Sequence, residues 1–191
     1  MRKVVVSEFV SLDGVIGDPG GSEKTEKGGW TFKFDQGPEG GKFKYGELFA
    51  SDALLLGRVT YEGFAAAWPN MPDTGDYGVR MNNMAKFVVS TTLKKAEWNN
   101  SKIISNNVAE EVSTLKKQPG QNILVFGSGQ LVNTLMQHDL IDEYWLMVFP
   151  IVLGSGKRLF RDGSKATLKL AETKTLGSGI VLLTYQPARG Q

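Results

Sequence analysis

Short apolar runs alternate along the chain with segments whose apolar residues recur at helical spacing. Residues 3–10 are rich in valine and read as a first strand; residues 53–56 read as a second, short and buried, stopped by Gly57. In residues 60–68, Tyr61, Phe64, Ala65 and Trp68 fall at i, i+3, i+4 and i+7 with Pro69 beyond them, which predicts a helix. Residues 85–90 predict a strand, Ile103 and Ile104 mark another, and residues 108–117 predict a helix. The apolar run 123–126 reads as a buried strand, after which Leu131, Val132, Leu135 and Met136 share one helix face. Residues 42–51 predict a further helix with Tyr45, Leu48 and Phe49 on one side. Past residue 141 only strands follow, at 142–149, 167–175 and 179–186, with Gly177-Ser178-Gly179 as a hairpin turn. Residues 18–41 and 70–80 read as long loops, the first carrying Trp30, Phe32 and Phe34.

Strand–helix alternation over the first two-thirds and strands alone in the last third predict an α/β fold. Its sheet is mostly parallel, with antiparallel C-terminal strands at one edge. No internal repeat or linker divides the chain, so residues 1–191 are expected to form one domain.

Composition narrows the chemistry. The chain has no cysteine and one histidine, His138, which excludes disulfides, thiol catalysis and a multi-histidine metal site. His138 closes a helix, where its natural role is to face the C-terminal dipole. The net charge of +2, without a basic stripe, gives no nucleic-acid footprint. No apolar run reaches membrane-spanning length and no signal-peptide core follows Met1, so a cytoplasmic protein is expected. Ser113-Thr114-Leu115-Lys116 matches Ser-x-x-Lys, but no Lys-Thr-Gly follows to make a penicillin-binding site.

Two segments run from strand through glycine into helix. In Ile123-Leu124-Val125-Phe126-Gly127-Ser128-Gly129-Gln130-Leu131, the turn leaves backbone N–H groups bare at a helix start, where they and the helix dipole attract phosphate. The third glycine of the Rossmann fingerprint is missing, and so is the Gly-Lys-Ser/Thr of a P-loop. In Leu56-Gly57-Arg58-Val59-Thr60-Tyr61-Glu62, Arg58 offers a planar fork of donors to a phosphate and Thr60 a hydroxyl. Each segment taken singly is equally the tight packing of any α/β turn; together they favour a nucleotide. Ser90-Thr91-Thr92 adds hydroxyls at the carboxyl end of a strand, where ligands of open sheets sit.

Gly57-Arg58-Val59-Thr60-Tyr61-Glu62, Ser90-Thr91 and Gly127-Ser128-Gly129-Gln130, in that order, resemble the dihydrofolate reductase-like superfamily. Ser11-Leu12-Asp13-Gly14 and Pro150-Ile151-Val152-Leu153-Gly154-Ser155-Gly156 resemble more closely its riboflavin-biosynthesis branch, the RibD C-terminal domain. The resemblance spans nearly the whole chain. It implies a dihydrofolate reductase-like three-layer sandwich and NADPH-dependent reduction of a small heterocyclic or carbonyl substrate. It implies that Gly57, Arg58 and Thr60 meet cofactor phosphates, with Arg58 at the 2′-phosphate. Ser90 and Thr91 would meet the adenosine side, and Gly127, Ser128, Gly129, Gln130 and Leu131 the pyrophosphate. Val15-Ile16-Gly17 matches the loop beside the nicotinamide, which places Ile16 there. Many members of this branch are homodimers, and a homodimer is expected; no nucleic-acid or membrane partner is.

The proton donor is open among three carboxyls. Asp13, among apolar residues at the end of the first strand, is one; Asp35 in the aromatic loop and Glu47 on the predicted helix are the others. Trp30 and Trp68, with Phe32 and Phe34, could line a pocket for a flat substrate or anchor the loop on the core. Lys157 and Arg158 are candidates for a substrate phosphate. These residues include no cysteine to bind zinc as the deaminase domain that often accompanies riboflavin reductases does, so the resemblance leaves the substrate open. Two other readings stand beside the reductase: a nucleotide-binding sensor or dimeric interaction protein without turnover, and a true dihydrofolate reductase.

Overall fold

The structure is a computed structural model describing residues 1–188. β1 (Val4–Ser11), β2 (Ser51–Gly57), β3 (Ala85–Val89), β4 (Ser101–Ile104), β5 (Asn122–Val125), β6 (Glu143–Phe149), β7 (Leu168–Thr175) and β8 (Val181–Pro187) form one sheet. Their order is β4-β3-β2-β5-β1-β6-β8-β7. All pairings from β4 to β6 are parallel; β8 runs antiparallel to both β6 and β7.

Strand alternation sorts the core into two faces. Val4, Val6, Leu55, Ile123 and Val125 pack with Val112 and Leu115 of α4 (Val108–Lys117) and Leu131, Val132 and Leu135 of α5 (Gly129–Gln137). Val5, Leu54, Leu56 and Leu124 pack on the other face with Leu48 of α1 (Gly37–Phe49), Tyr61 of α2 (Arg58–Ala67) and Met81 of α3 (Gly75–Asn83). The result is the expected α/β three-layer sandwich of the dihydrofolate reductase type. Among the described residues, no helix is long and apolar enough to cross a membrane.

Two elements depart from the sequence reading. α1 begins at Gly37, five residues earlier than expected, because Pro38 suits a first helical turn while the glycines around it disguise the helix. α3 occupies most of the expected loop 70–80. Its signal was Tyr77, Met81 and Met84 at i, i+4 and i+7, diluted by Gly75 and Gly78, which are poor helix formers. Both methionines are buried.

The pairing around β1 creates an opening. β1 meets β5 only through Val4, Val5 and Val6, opposite Ile123, Leu124 and Val125. Its pairing with β6 continues from Val5 to Ser11. Beyond Val6, therefore, β1 has a free flank where β5 has left the sheet through Gly127. Open α/β sheets bind ligands at such crevices, outside the carboxyl ends of their strands.

Candidate active site

The two glycine turns meet at this opening. Gly57, the last residue of β2, donates its N–H to the carbonyl of Gly127 at 3.0 Å. A methyl group on Gly57 would lie 2.5 Å from Ser128 Oγ and 2.9 Å from Ser128 N, so only glycine permits this approach. Gly127 has φ +93, in the region that favours glycine. A methyl group there would meet Thr60 Oγ1 at 3.2 Å and Glu8 Oε1 at 3.3 Å.

This contact brings together the N-termini of α2 and α5. Neither helix carries an acidic residue in its first turn, whereas α1 has Glu39, α3 has Asp76, and α4 has Glu110 and Glu111. Carboxylates in a first turn offset the helix dipole. The two converging helices leave theirs without such an offset, as a phosphate group requires. Ser128 caps α5, its Oγ accepting the N–H of Leu131 at 3.4 Å. The exposed Gln130 flanks this cap, and Arg58 stands exposed beside the α2 start with Glu62 as its partner at 2.8 Å. Ile16 reaches the same place: a methyl group on Gly129 would lie 3.1 Å from its Cδ1. Ser90 is largely committed elsewhere, its Oγ accepting the N–H groups of Thr92 and Leu93, while Thr91 is exposed.

On the α1 side of β1 lies a charged cluster under an aromatic row. Glu47 is buried, accepts the hydroxyl of Ser7 at 2.5 Å and is ion-paired to Lys44. Burial pushes its carboxyl pKa up, against the opposing pull of Lys44 and Ser7. Lys44 Nζ lies 4.8 Å from the ring centre of Phe9 and 4.6 Å from that of Phe126. Phe126 continues to Phe64 at 6.0 Å, and Phe64 to Trp68 at 6.4 Å. Trp68 thus belongs to a row of half-buried aromatic rings that starts at the opening and continues to Tyr77 at 5.5 Å.

Three expectations are corrected. Trp30 lies in the core rather than at a pocket: it is fully buried, edge-on to Phe149 at 5.4 Å, with Nε1 donating to the Gly17 carbonyl. Asp13 is a loop clamp, accepting from Ser11 Oγ and from the N–H groups of Leu153 and Gly154. Those bonds, led by Ser11, hold its pKa at about 2, which suits an anion and not an acid. Asp35 is exposed, and its Oδ1 accepts the N–H of Gly37 at the start of α1. Lys157 is paired to Glu23. The clamp predicts that Asp13→Ala speeds amide hydrogen exchange at Leu153 and Gly154, read by NMR, while nucleotide affinity stays within a few-fold of the parent.

The residue that sequence reading missed is Glu8. It sits in β1 among Val4, Val5, Val6, Phe9 and Val10, is 9% exposed, and its Oε1 has no hydrogen-bond partner among the described residues. Burial raises its pKa to about 8, with Lys44 opposing and Glu47 reinforcing the rise. The available signal was a lone carboxyl in a strand otherwise made of valine, phenylalanine and serine. Two surface hollows elsewhere, one lined by Met136, Tyr144 and Leu168 and the other by Phe43, Trp145 and Leu182, include neither glycine turn.

The chain belongs to the RibD C-terminal domain family, whose model matches residues 2–182. It is 31% identical over 188 residues to the uncharacterized protein YyaP of Bacillus subtilis (strain 168), covering 96% of this chain and 94% of that one. A crystal structure from Shewanella sp. PV-4, provisionally described as a riboflavin biosynthesis protein, shares the fold with TM-score 0.78 and 22% identity, over 98% of this chain and 100% of that one. Dihydrofolate reductase from Enterococcus faecalis, solved with NADP(H), shares it with TM-score 0.58 and 14% identity, over 97% and 96%.

Proposed function

We propose that the protein is an NADPH-dependent reductase acting on the C=N or C=O group of a small flat substrate. The observation that carries this reading is the contact of the Gly57 and Gly127 turns, which aims two helix N-termini without first-turn carboxylates at one opening. Family membership and the NADP(H) complex of the structurally similar dihydrofolate reductase support it. Gly127, Ser128, Gly129 and Gln130 hold the pyrophosphate, Thr60 a neighbouring phosphate oxygen and Arg58 the 2′-phosphate. Ile16 borders the nicotinamide. The bound cofactor supplies the reducing electrons; the chain aligns the reactants, excludes water and manages the proton. Phe9, Phe126, Phe64 and Trp68 offer the substrate an aromatic wall, with Lys44 at its inner end. Two copies pair through the edge strand β7, whose open ladder and exposed Leu170 suit association; light scattering reads the mass.

Titration of the protein with NADPH and NADH, followed by tryptophan fluorescence, tests the cofactor assignment. Arg58→Ala is expected to weaken NADPH by about tenfold or more, the worth of charge-assisted hydrogen bonds to a phosphate, and to leave NADH nearly unchanged. Equal weakening of both nucleotides would remove Arg58 from the 2′-phosphate. Failure of both to bind the parent protein would overturn the reading.

A further inference from the structure

Glu8 has no structural reason to be a carboxyl. Its neighbours on the same face of β1 are Val6 and Val10, its register partner on β6 is Leu146, and an apolar side chain would fill the site without desolvating a charge. Ser7 and Glu8 project to opposite faces of β1, so Ser7 joins Lys44 and Glu47 while Glu8 turns toward Gly127. The charged groups that act on Glu8 are Lys44 and Glu47 of α1; α2 faces it with Thr60 and the β5–α5 turn with Gly127. Its unpartnered Oε1 and Thr60 Oγ1 abut the same point above Gly127, inside the turn that brings the two helix starts together.

We infer that Glu8 is the proton donor of the reductase site, an inference that rests on the NADPH reading above. In the reduction, a C–H bond forms at the carbon of the substrate C=N or C=O with two electrons and a hydrogen from the dihydronicotinamide. The O–H bond of Glu8 breaks, and its proton joins the substrate nitrogen or oxygen. Glu8 becomes negative as it gives up its proton, which would balance the positive charge left on a bound nicotinamide, and solvent then reprotonates the carboxylate. A carboxyl kept neutral before the step suits this role, and burial maintains that state.

The test requires no substrate. Binding of NADP+ and of NADPH is measured by calorimetry at pH 7 in two buffers of different ionisation enthalpy, which yields the protons released. The 2′-phosphate is common to both nucleotides and cancels in the difference. In the parent protein the positive ring of NADP+ is expected to release about half to one proton more than NADPH does, because a cation beside a protonated carboxyl lowers its pKa. Glu8→Gln is expected to bind both nucleotides and to lose this difference; Glu8→Asp is expected to retain part of it. Binding of both nucleotides with no difference in the parent protein, or with the same difference in Glu8→Gln, overturns the assignment of Glu8 and leaves the cofactor site standing. No binding of either nucleotide overturns both.

Discussion

Glu8→Gln is expected to stabilise the protein at pH 7 by about 1–3 kcal/mol, the worth of two to three pKa units less the cost of burying an amide. The carboxyl titrates near 4.5 in an unfolded chain and at about 8 in the folded one. Between those values the unfolded chain has lost the proton and the folded chain has kept it. The contribution of Glu8 to stability is therefore full below about pH 4.5, declines as the pH rises, and levels off above about 8. Urea unfolding at pH 4.5, 7 and 8.5 should show the variant gaining on the parent as the pH rises, from equal or lower stability at the lowest pH. A residual slope in the variant has a contribution from Glu47, whose pKa is raised in the same direction, and an opposite one toward pH 8.5 from Lys86, whose pKa burial lowers to about 8. Equal or lower stability of the variant at pH 7 would mean that the carboxyl is satisfied in the folded protein. A residue that lowers stability at working pH and lies at the opening fits the trade of stability for function.

Gly57→Ala is expected to lower NADPH affinity by about 100-fold and stability by about 1–3 kcal/mol, the usual cost of forced overpacking. The effect is steric rather than conformational. Gly57 has φ −73 and ψ 159, which any residue adopts. The added methyl group would meet Ser128 at Oγ and at backbone N, too close for a side-chain rotation to relieve. The two turns must part, taking with them the bond from Gly57 N–H to the Gly127 carbonyl. Gly63→Ala, on the same α2 helix, meets only Ser22 Oγ at 3.5 Å and serves as the control. Nucleotide titration and thermal unfolding of both variants check the pair; unchanged affinity in Gly57→Ala would mean that the cofactor does not depend on this contact.

The alternation of strand and helix was legible because each element buries one face, and burial writes itself into apolar spacing. Helix α4 has the bounds that the spacing of Val108, Val112 and Leu115 implies. The glycine turns were legible too, since a strand that enters a helix through glycines leaves few geometries. α3 was obscured where Gly75 and Gly78 carry no apolar signal and only one side of a short helix is buried. Trp30 shows the limit of composition: an aromatic residue in a polar, glycine-rich segment reads the same whether it lines a pocket or pins the segment to Phe149. Glu8 shows another limit. A single letter in a strand does not say whether a partner waits across the fold, and the consequence of its burial emerges only once β5 is seen to end beside it. Asp13 and Asp35 illustrate the reverse, with suggestive positions in the sequence and ordinary loop and helix-start bonding in the fold.

The most direct measurement is the titration of 15N-labelled protein with NADPH, followed by amide chemical shifts. Saturable shifts are expected centred on Gly57, Arg58, Thr60 and Gly127 through Leu131, with a second set at Ile16 and Glu8. Shifts confined to other surfaces, or none at millimolar NADPH, would contradict a cofactor site at the two glycine turns.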